Sequence, residues 1–116
     1  MKKVLLLSLI TTTVMAYTPA TKADDNLSLR VCEYVQANDK NRLRSFLKKR
    51  KMKIRKFYDN IQCNGEDLLV FAAKSKALEV GEFLISKLSA KIVGSKVDAI
   101  AAHSAHLAEV AKKRAG

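Results

Sequence analysis

Apolar residues recur at intervals of three and four positions along most of the chain after residue 23. This spacing is typical of amphipathic helices that bury one face. Residues 52–63 are partly apolar but show no clear period, so we expect a short hairpin or an extended loop there. The pattern predicts a mainly all-α fold of short antiparallel helix pairs, with helices over 24–37, 40–51, 68–73, 78–88 and 95–114.

Turn and capping residues separate these segments. Asn38-Asp39 interrupts the first helix pair, and Asn64-Gly65 is a strong turn signal. Asp67 is placed to cap the third helix, because its carboxylate can accept hydrogen bonds from the unpaired N–H groups of a first turn. Gly94 is expected to end the fourth helical segment, and Ser95 is expected to cap the last helix.

The first 23 residues have the composition of a cleavable signal peptide. Two lysines precede a run from Val4 to Ile10 that is apolar apart from Ser8, and the small residues Thr21 and Ala23 follow Pro19. The run is shorter than the roughly 20 residues of a membrane-spanning helix, so we expect no transmembrane span. Cleavage is predicted after Ala23, with Ala16 as the alternative, and an exported protein results.

Export changes how the charge of the chain is interpreted. The predicted mature chain, residues 24–116, is one small helical domain with a core over 26–93 and a formal charge of +8. In a cytoplasmic protein this charge would favour nucleic acid, but export argues against that partner. The expected partners are lipid phosphates, acidic polysaccharides or acidic protein surfaces.

The basic residues are concentrated in one segment. Ten of them lie between Lys40 and Lys56, where no acidic residue occurs. Several fall on one face of the predicted second helix, and a cationic amphipathic helix can lie on an anionic membrane. A charged face that only keeps the protein soluble would have the same composition. The candidate anion-binding residues are Lys40, Arg44, Lys48, Lys51 and Arg55.

The chain has two cysteines, Cys32 and Cys63. In a small exported domain an even number of cysteines indicates a disulfide. It would close a loop of about 30 residues and stabilise the fold by about 3–4 kcal/mol in the chain-entropy model. Redox pairs usually have Cys-x-x-Cys spacing, and a zinc site needs more ligands than His103 and His106 supply. We therefore predict a structural disulfide.

Residues with catalytic spacing are scarce. The sequence has no Gly-rich phosphate loop and no nucleophile motif. His103, His106 and Glu109 recur every three residues, but that line drifts around a helix and alanines surround it. Surface histidines explain the pattern, with a metal site or a catalytic role for the last helix as the open alternative. We expect no enzymatic activity, no metal and no cofactor.

The chain also contains a weak internal repeat. A shift of 37 residues places Val31-Cys32 on Leu68-Leu69 and Phe46-Leu47 on Phe83-Leu84. Each copy is expected to form a helix, a tight turn and a second helix.

The second copy resembles an ankyrin repeat over residues 65–73 and the helix that follows. Gly65 matches the turn glycine of that family, and Ala72-Ala73 matches the small residues at which paired helices approach. Asp67-Leu68 stands in place of the family's Thr-Pro, and Lys76 in place of a glycine. The resemblance implies an ankyrin-like stack. Such stacks need about three repeats, so two copies would depend on the disulfide and the C-terminal helix.

Residues 31–88 further resemble a family of small exported bacterial proteins, the domain of unknown function thirty-seven eighteen. The resemblance rests on Cys32, Cys63-Asn64-Gly65 and Glu79-Val80-Gly81-Glu82-Phe83. It implies a periplasmic protein of a Gram-negative bacterium and carries no catalytic residues. The expected function is a non-catalytic periplasmic protein-interaction module; the alternative is a cationic binder of anionic envelope components through residues 40–56.

Overall fold

Seven α-helices make up most of the described chain. A computed structural model describes residues 22–116, with side chains from residue 27 onward. The described part contains no strand, so the predicted mainly all-α class is confirmed. Most of the predicted signal peptide, including Ala16, lies outside the described residues, and Ala23 falls in the first turn of the first helix. The helices are α1 (Lys22–Gln36), α2 (Lys40–Lys49), α3 (Ile54–Phe57), α4 (Leu68–Lys74), α5 (Leu78–Lys87), α6 (Ala90–Ala101) and α7 (Ala105–Ala115).

The centre of the domain is α4. Six consecutive residues of this helix, Leu68 to Ala73, are buried. A helix that is apolar on all sides must be surrounded by other elements, and α4 packs against α1, α5 and α6. The other two long helices form the next layer, since α2 packs against α1 and α5, and α7 packs against α5 and α6. None of the described helices is long and apolar enough to cross a bilayer.

The same backbone turn joins α1 to α2 and α4 to α5. Asn38 (φ 56°) and Lys76 (φ 58°) adopt the left-handed conformation. In each turn the left-handed residue donates its N–H to the carbonyl three positions back, and the next residue donates to the carbonyl five back, as in a Schellman motif. The same pair of bonds also ends α2, where Lys51 (φ 53°) donates to the Lys48 carbonyl and Met52 to the Leu47 carbonyl. The turn is therefore a common helix ending in this domain, and the 37-residue repeat stays a prediction.

Residues 52–63 contain a short helix, α3, in place of the expected hairpin or extended loop. After α3, Tyr58–Asn60 make a 3-10 turn. The buried residues between positions 54 and 61 are Ile54, Phe57, Tyr58 and Ile61. Successive buried residues are three, one and three positions apart along the chain, which is the spacing of one face of a helix. The helical period was not recognised in the sequence because basic residues lie between the apolar positions and the turn-forming pair Asp59-Asn60 interrupts them.

The Asn64-Gly65 turn is confirmed. Both residues have positive φ, 56° and 80°, which is the geometry of a type I′ turn. The backbone groups of Cys63 and Glu66 exchange hydrogen bonds of 2.8 and 3.0 Å across it. Within the described residues, this antiparallel bridge between Cys63 and Glu66 is isolated and does not extend into a hairpin.

The single C-terminal helix predicted over 95–114 is in fact two helices. Ser89 caps α6, and Ser104 caps α7; each side-chain oxygen accepts from the N–H three residues on, at 3.1 and 3.2 Å. Gly94 and Ser95 lie inside α6, where the Ser95 hydroxyl donates to the Ile92 carbonyl. The chain reverses at residues 102–104, because the buried Ser104 starts a new helix that packs back along α6.

Candidate anion-binding groove

The core fixes the orientation of α2. Its apolar residues Leu43 and Leu47 are 0% and 5% exposed. Asp39 caps the helix, since its Oδ1 accepts from the Arg42 N–H at 3.1 Å. Because the apolar face of α2 is buried in the domain, this helix can meet a membrane or another partner only through its basic side.

A groove of about 780 Å³ lies between α2, the segment leading into α3, α5 and the end of α7. Its volume is within the usual range of ligand sites. Apolar contacts come from Leu47, Met52, Ile54 and Phe83. None of the described residues that line the groove is acidic. Its basic residues are Arg44, Lys48, Lys53, Arg55, Lys87 and Arg114.

Arg114 is held in place at the groove by the end of α5. Its Nε and Nη2 donate to the Leu88 carbonyl at 3.2 and 2.9 Å. Leu88 is the C-cap of α5, where carbonyl groups lack helical partners. A guanidinium has five N–H donors, and this contact uses two of them. Nearby, Lys87 Nζ lies 5.8 Å from the Phe83 ring centroid, within cation–π range.

Three of the five candidate anion-binding residues lie together in this groove: Arg44, Lys48 and Arg55. Lys40 lies with Arg44 in a neighbouring hollow of mixed charge that Glu79 and Glu82 also line. Lys51 is outside both. It follows the end of α2 in a left-handed conformation (φ 53°), so the helical spacing that linked it to Lys40 does not continue that far.

Sequence reasoning missed the contributions of Lys53, Lys87 and Arg114. Lys53 belongs to the basic segment, but its position depends on α3, which was predicted as a loop or hairpin. Lys87 and Arg114 come from α5 and α7, far along the chain. Their link to α2 exists only through the packing of α2 on α5 and of α5 on α7, which no spacing in the sequence records.

The opposite flank of α2 carries a second basic hollow with aromatic residues. Arg50 lies 4.6 Å from the Phe46 ring centroid, and Tyr34 meets Phe46 edge-on at 5.6 Å. Asn41 and Ser45 line both hollows and form the ridge between them. The basic residues of this flank are Arg30, Arg42, Lys49 and Arg50.

The two cysteines form a disulfide that ties α1 to the Asn64-Gly65 turn. The sulfur atoms are 2.02 Å apart and the Cα atoms 5.7 Å apart. Cys63 is buried at 2% exposure. A bonded cysteine pair is compatible with an exported protein.

A partly buried polar cluster connects the 3-10 turn to α4 and α6. Asp67 Oδ1 accepts from the Tyr58 hydroxyl at 2.7 Å and from the Val70 N–H at 3.0 Å, and Lys96 Nζ lies 3.0 Å from Oδ2. Burial, and then the Asp67 carboxylate, raise the pKa of Tyr58 far above its usual range. Burial alone would raise the pKa of Asp67, but the bonds from Tyr58, Val70 and Lys96 outweigh it and lower that pKa. The tyrosine therefore stays protonated, and the cluster acts as a structural link.

The histidines are not gathered into a metal site. His106 pairs with Glu82 and so joins α7 to α5, while His103 lies in the turn between α6 and α7. No group of three potential metal ligands that could hold an ion occurs among residues 27–116, whose side chains the structure describes. The line of His103, His106 and Glu109 on one helix does not form, because α7 begins between the two histidines.

Comparison with known proteins gives one match. A family model described as "Protein of unknown function (DUF3718)" matches residues 31–93, which confirms the resemblance seen in the sequence. No curated protein and no solved structure matches the chain. The matched range includes both cysteines, α2 to α5 and Lys87, and it ends before α7 and Arg114.

Proposed function

Because the chain belongs to this family of unknown function, we propose a role from its surface: it is an exported, non-catalytic binding module whose basic surface around α2 takes an anionic component of the cell envelope. The observation that carries the proposal is the charge of the groove. Six basic residues line it, and no described lining residue is acidic. A concave surface of one charge sign concentrates oppositely charged ligands.

Export to the periplasm of a Gram-negative bacterium is part of the proposal. Its support is the composition of the first 23 residues and the bonded cysteine pair. Expression of the full sequence in a Gram-negative host, followed by osmotic shock and N-terminal sequencing, tests it. We expect a periplasmic protein that begins at Asp24, or at Tyr17 if cleavage follows Ala16. An intact chain in the cytoplasm would contradict export.

An acidic protein surface is the second candidate partner. The hollow with Tyr34, Phe46 and Arg50 favours it, because tyrosine, phenylalanine and arginine are enriched in protein interfaces. An ankyrin-like stack of the two helix pairs, α1 with α2 and α4 with α5, would present such a surface.

Site-specific photo-cross-linking in intact cells separates the two candidates. The probe replaces Ser45 on the ridge of α2, and the matched control replaces Ala99, which is exposed on α6. An adduct at 45 that is absent at 99, resists protease and is lost when salt is raised before irradiation supports an envelope component. A stoichiometric protein adduct that survives salt supports the second candidate. Equal labelling at both positions would contradict both.

A further inference from the structure

We infer that the groove between α2 and Arg114 is a binding site for a phosphate monoester or diphosphate group that carries an apolar moiety. This deepens the proposed function, and it takes from that proposal only the negative charge of the ligand. The phosphate-bearing end would lie among Arg44, Lys48 and Arg114. The apolar part would lie against Met52 and Phe83.

The amount of unpaired positive charge favours phosphate. None of the six basic residues of the groove forms an ion pair within the described chain. A carboxylate brings one negative charge, whereas a phosphate monoester brings about 1.5 to 2 and three acceptor oxygens. A phosphorylated ligand therefore neutralises more of this charge in the same volume.

The kind of donor also favours phosphate. Three of the six residues are arginines, Arg44, Arg55 and Arg114, and the planar guanidinium fork matches phosphate with two parallel hydrogen bonds. Arg114 is already held by the Leu88 carbonyl. Because less side-chain freedom is lost when a fixed group binds, this arginine is prepared for a ligand.

Apolar surface beside the charges indicates that the ligand is more than a bare ion. Leu47 and Ile54 are buried at the groove, and Met52 and Phe83 are half-buried and reachable. A ligand with an apolar group next to its phosphate would cover these two side chains, and burial of apolar area stabilises the complex.

The opposite flank of α2 differs from the groove in its charge pairing. Arg42 pairs with Asp39 at 3.5 Å, whereas none of the six basic residues of the groove has an acidic partner within the described chain. Arg50 lies against the Phe46 ring on the flank as Lys87 lies against the Phe83 ring in the groove, so the aromatic contact is common to both sides. This difference supplies a matched control on the same helix.

The test is calorimetric titration of residues 24–116, with the disulfide intact, with inorganic pyrophosphate at constant ionic strength. The variant Arg44→Gln/Lys48→Gln removes one arginine and one lysine from the groove side, and Arg42→Gln/Lys49→Gln removes the same pair of types from the other flank. We expect the groove variant to weaken binding about tenfold or more and the flank variant by about twofold at most. Equal weakening by both would overturn the site.

Two further arms test the chemistry. Citrate, a tricarboxylate, should bind more weakly than pyrophosphate, and phenyl phosphate should bind more tightly than inorganic phosphate.

Arg114→Lys keeps the charge but loses the fork, so pyrophosphate should bind several-fold more weakly while the melting temperature stays close to that of the wild type. Citrate binding as tight as pyrophosphate would overturn the phosphate preference. Pyrophosphate binding in the groove without capture of an envelope component would leave the site standing and remove the proposed function.

Discussion

Gly81 of α5 and Leu107 of α7 pack so closely that a side chain at 81 has no room. A Cβ at position 81 would lie 2.6 Å from Leu107 Cδ1 and 2.8 Å from Cδ2. Leu107 is 1% exposed, so it cannot turn out into solvent. This contact sets α7 against α5, and Arg114 lies about two helical turns beyond Leu107. The glycine therefore helps to place a residue of the groove.

We expect Gly81→Ala to destabilise the domain by about 1–3 kcal/mol, because overpacking a closed core strains its neighbours. Alanine favours a helix over glycine by about 1 kcal/mol, but that gain is too small to offset the overlap. Urea unfolding of Gly81→Ala, Leu107→Ala and the double variant measures the change in the free energy of unfolding. The double variant should be more stable than the sum of the single effects. A Gly81→Ala protein as stable as the wild type would contradict the close packing.

Asn38 caps α5 through a hydrogen bond with Val80, 42 positions further along the chain. Its Oδ1 accepts from the Val80 N–H at 3.0 Å, in the first turn of α5. The local N-cap of that helix is Ala77, which has no side-chain acceptor. The turn between α1 and α2 therefore supplies the capping hydrogen bond that Ala77 cannot give to α5.

Substitutions at Asn38 should separate its two roles. Asn38→Gly keeps the positive φ but loses the acceptor, and we expect a loss of about 1 kcal/mol. Asn38→Ala loses the acceptor and strains the left-handed backbone, so about 1–2 kcal/mol more should be lost. The free energy of unfolding in urea checks the order. Equal stability of the two variants would show that backbone conformation at 38 is unimportant.

The pKa of Asp67 predicts how stability depends on pH. Its folded-state pKa is below the ordinary value of 3.8, so the stabilisation it provides is fully present above the unfolded-state pKa. That stabilisation is lost as the pH falls through the folded-state pKa. Asp67→Asn can still cap α4 but has no charge.

We therefore expect Asp67→Asn to be less stable than the wild type by about 1–3 kcal/mol at neutral pH. The difference should shrink below about pH 4. Urea unfolding at several pH values measures it, and Tyr58→Phe, which removes one hydrogen bond to the carboxylate, should show an intermediate pH dependence. A difference that stays constant from neutral to acid pH would rule out this role of the charge.

Removal of the disulfide should lower stability without changing the groove. Cys32 and Cys63 are 31 positions apart, and closing such a loop contributes about 3–4 kcal/mol in the chain-entropy model. The free energy of unfolding of Cys32→Ala/Cys63→Ala should be lower by that amount, which moves its urea midpoint to a lower concentration. Where the variant remains folded it should bind pyrophosphate as the wild type does, since neither cysteine lines the groove. An unchanged unfolding midpoint would contradict the structural role of the bridge.

Local signals in the sequence were sufficient for four helices, α1, α2, α4 and α5, and for some of their ends. Asp67 and Asn64-Gly65 act through their immediate neighbours, and both were predicted correctly. Ser104 was missed because its effect depends on burial and on the reversal of α7 along α6. The period of residues 54–61 was present but short, and a single helical turn gives little periodicity to detect.

The groove could be predicted only in part for a related reason. Arg44, Lys48 and Arg55 lie within one basic segment, so composition identifies them. Lys87 and Arg114 join them through contacts between helices that are distant in sequence. The close approach of Gly81 to Leu107, which helps bring Arg114 to that place, has no signature in hydrophobic pattern or charge.

The central claim, that the basic surface around α2 binds an anionic envelope component, is tested most directly by vesicle flotation across a salt series. The mature chain is mixed with phosphatidylglycerol–phosphatidylethanolamine vesicles and, separately, with phosphatidylcholine vesicles. We expect binding to the anionic vesicles that weakens steeply as salt rises, because exposed charges are screened, and little binding to the neutral ones. Binding that is the same at low and high salt, or the same on both lipids, would contradict the claim.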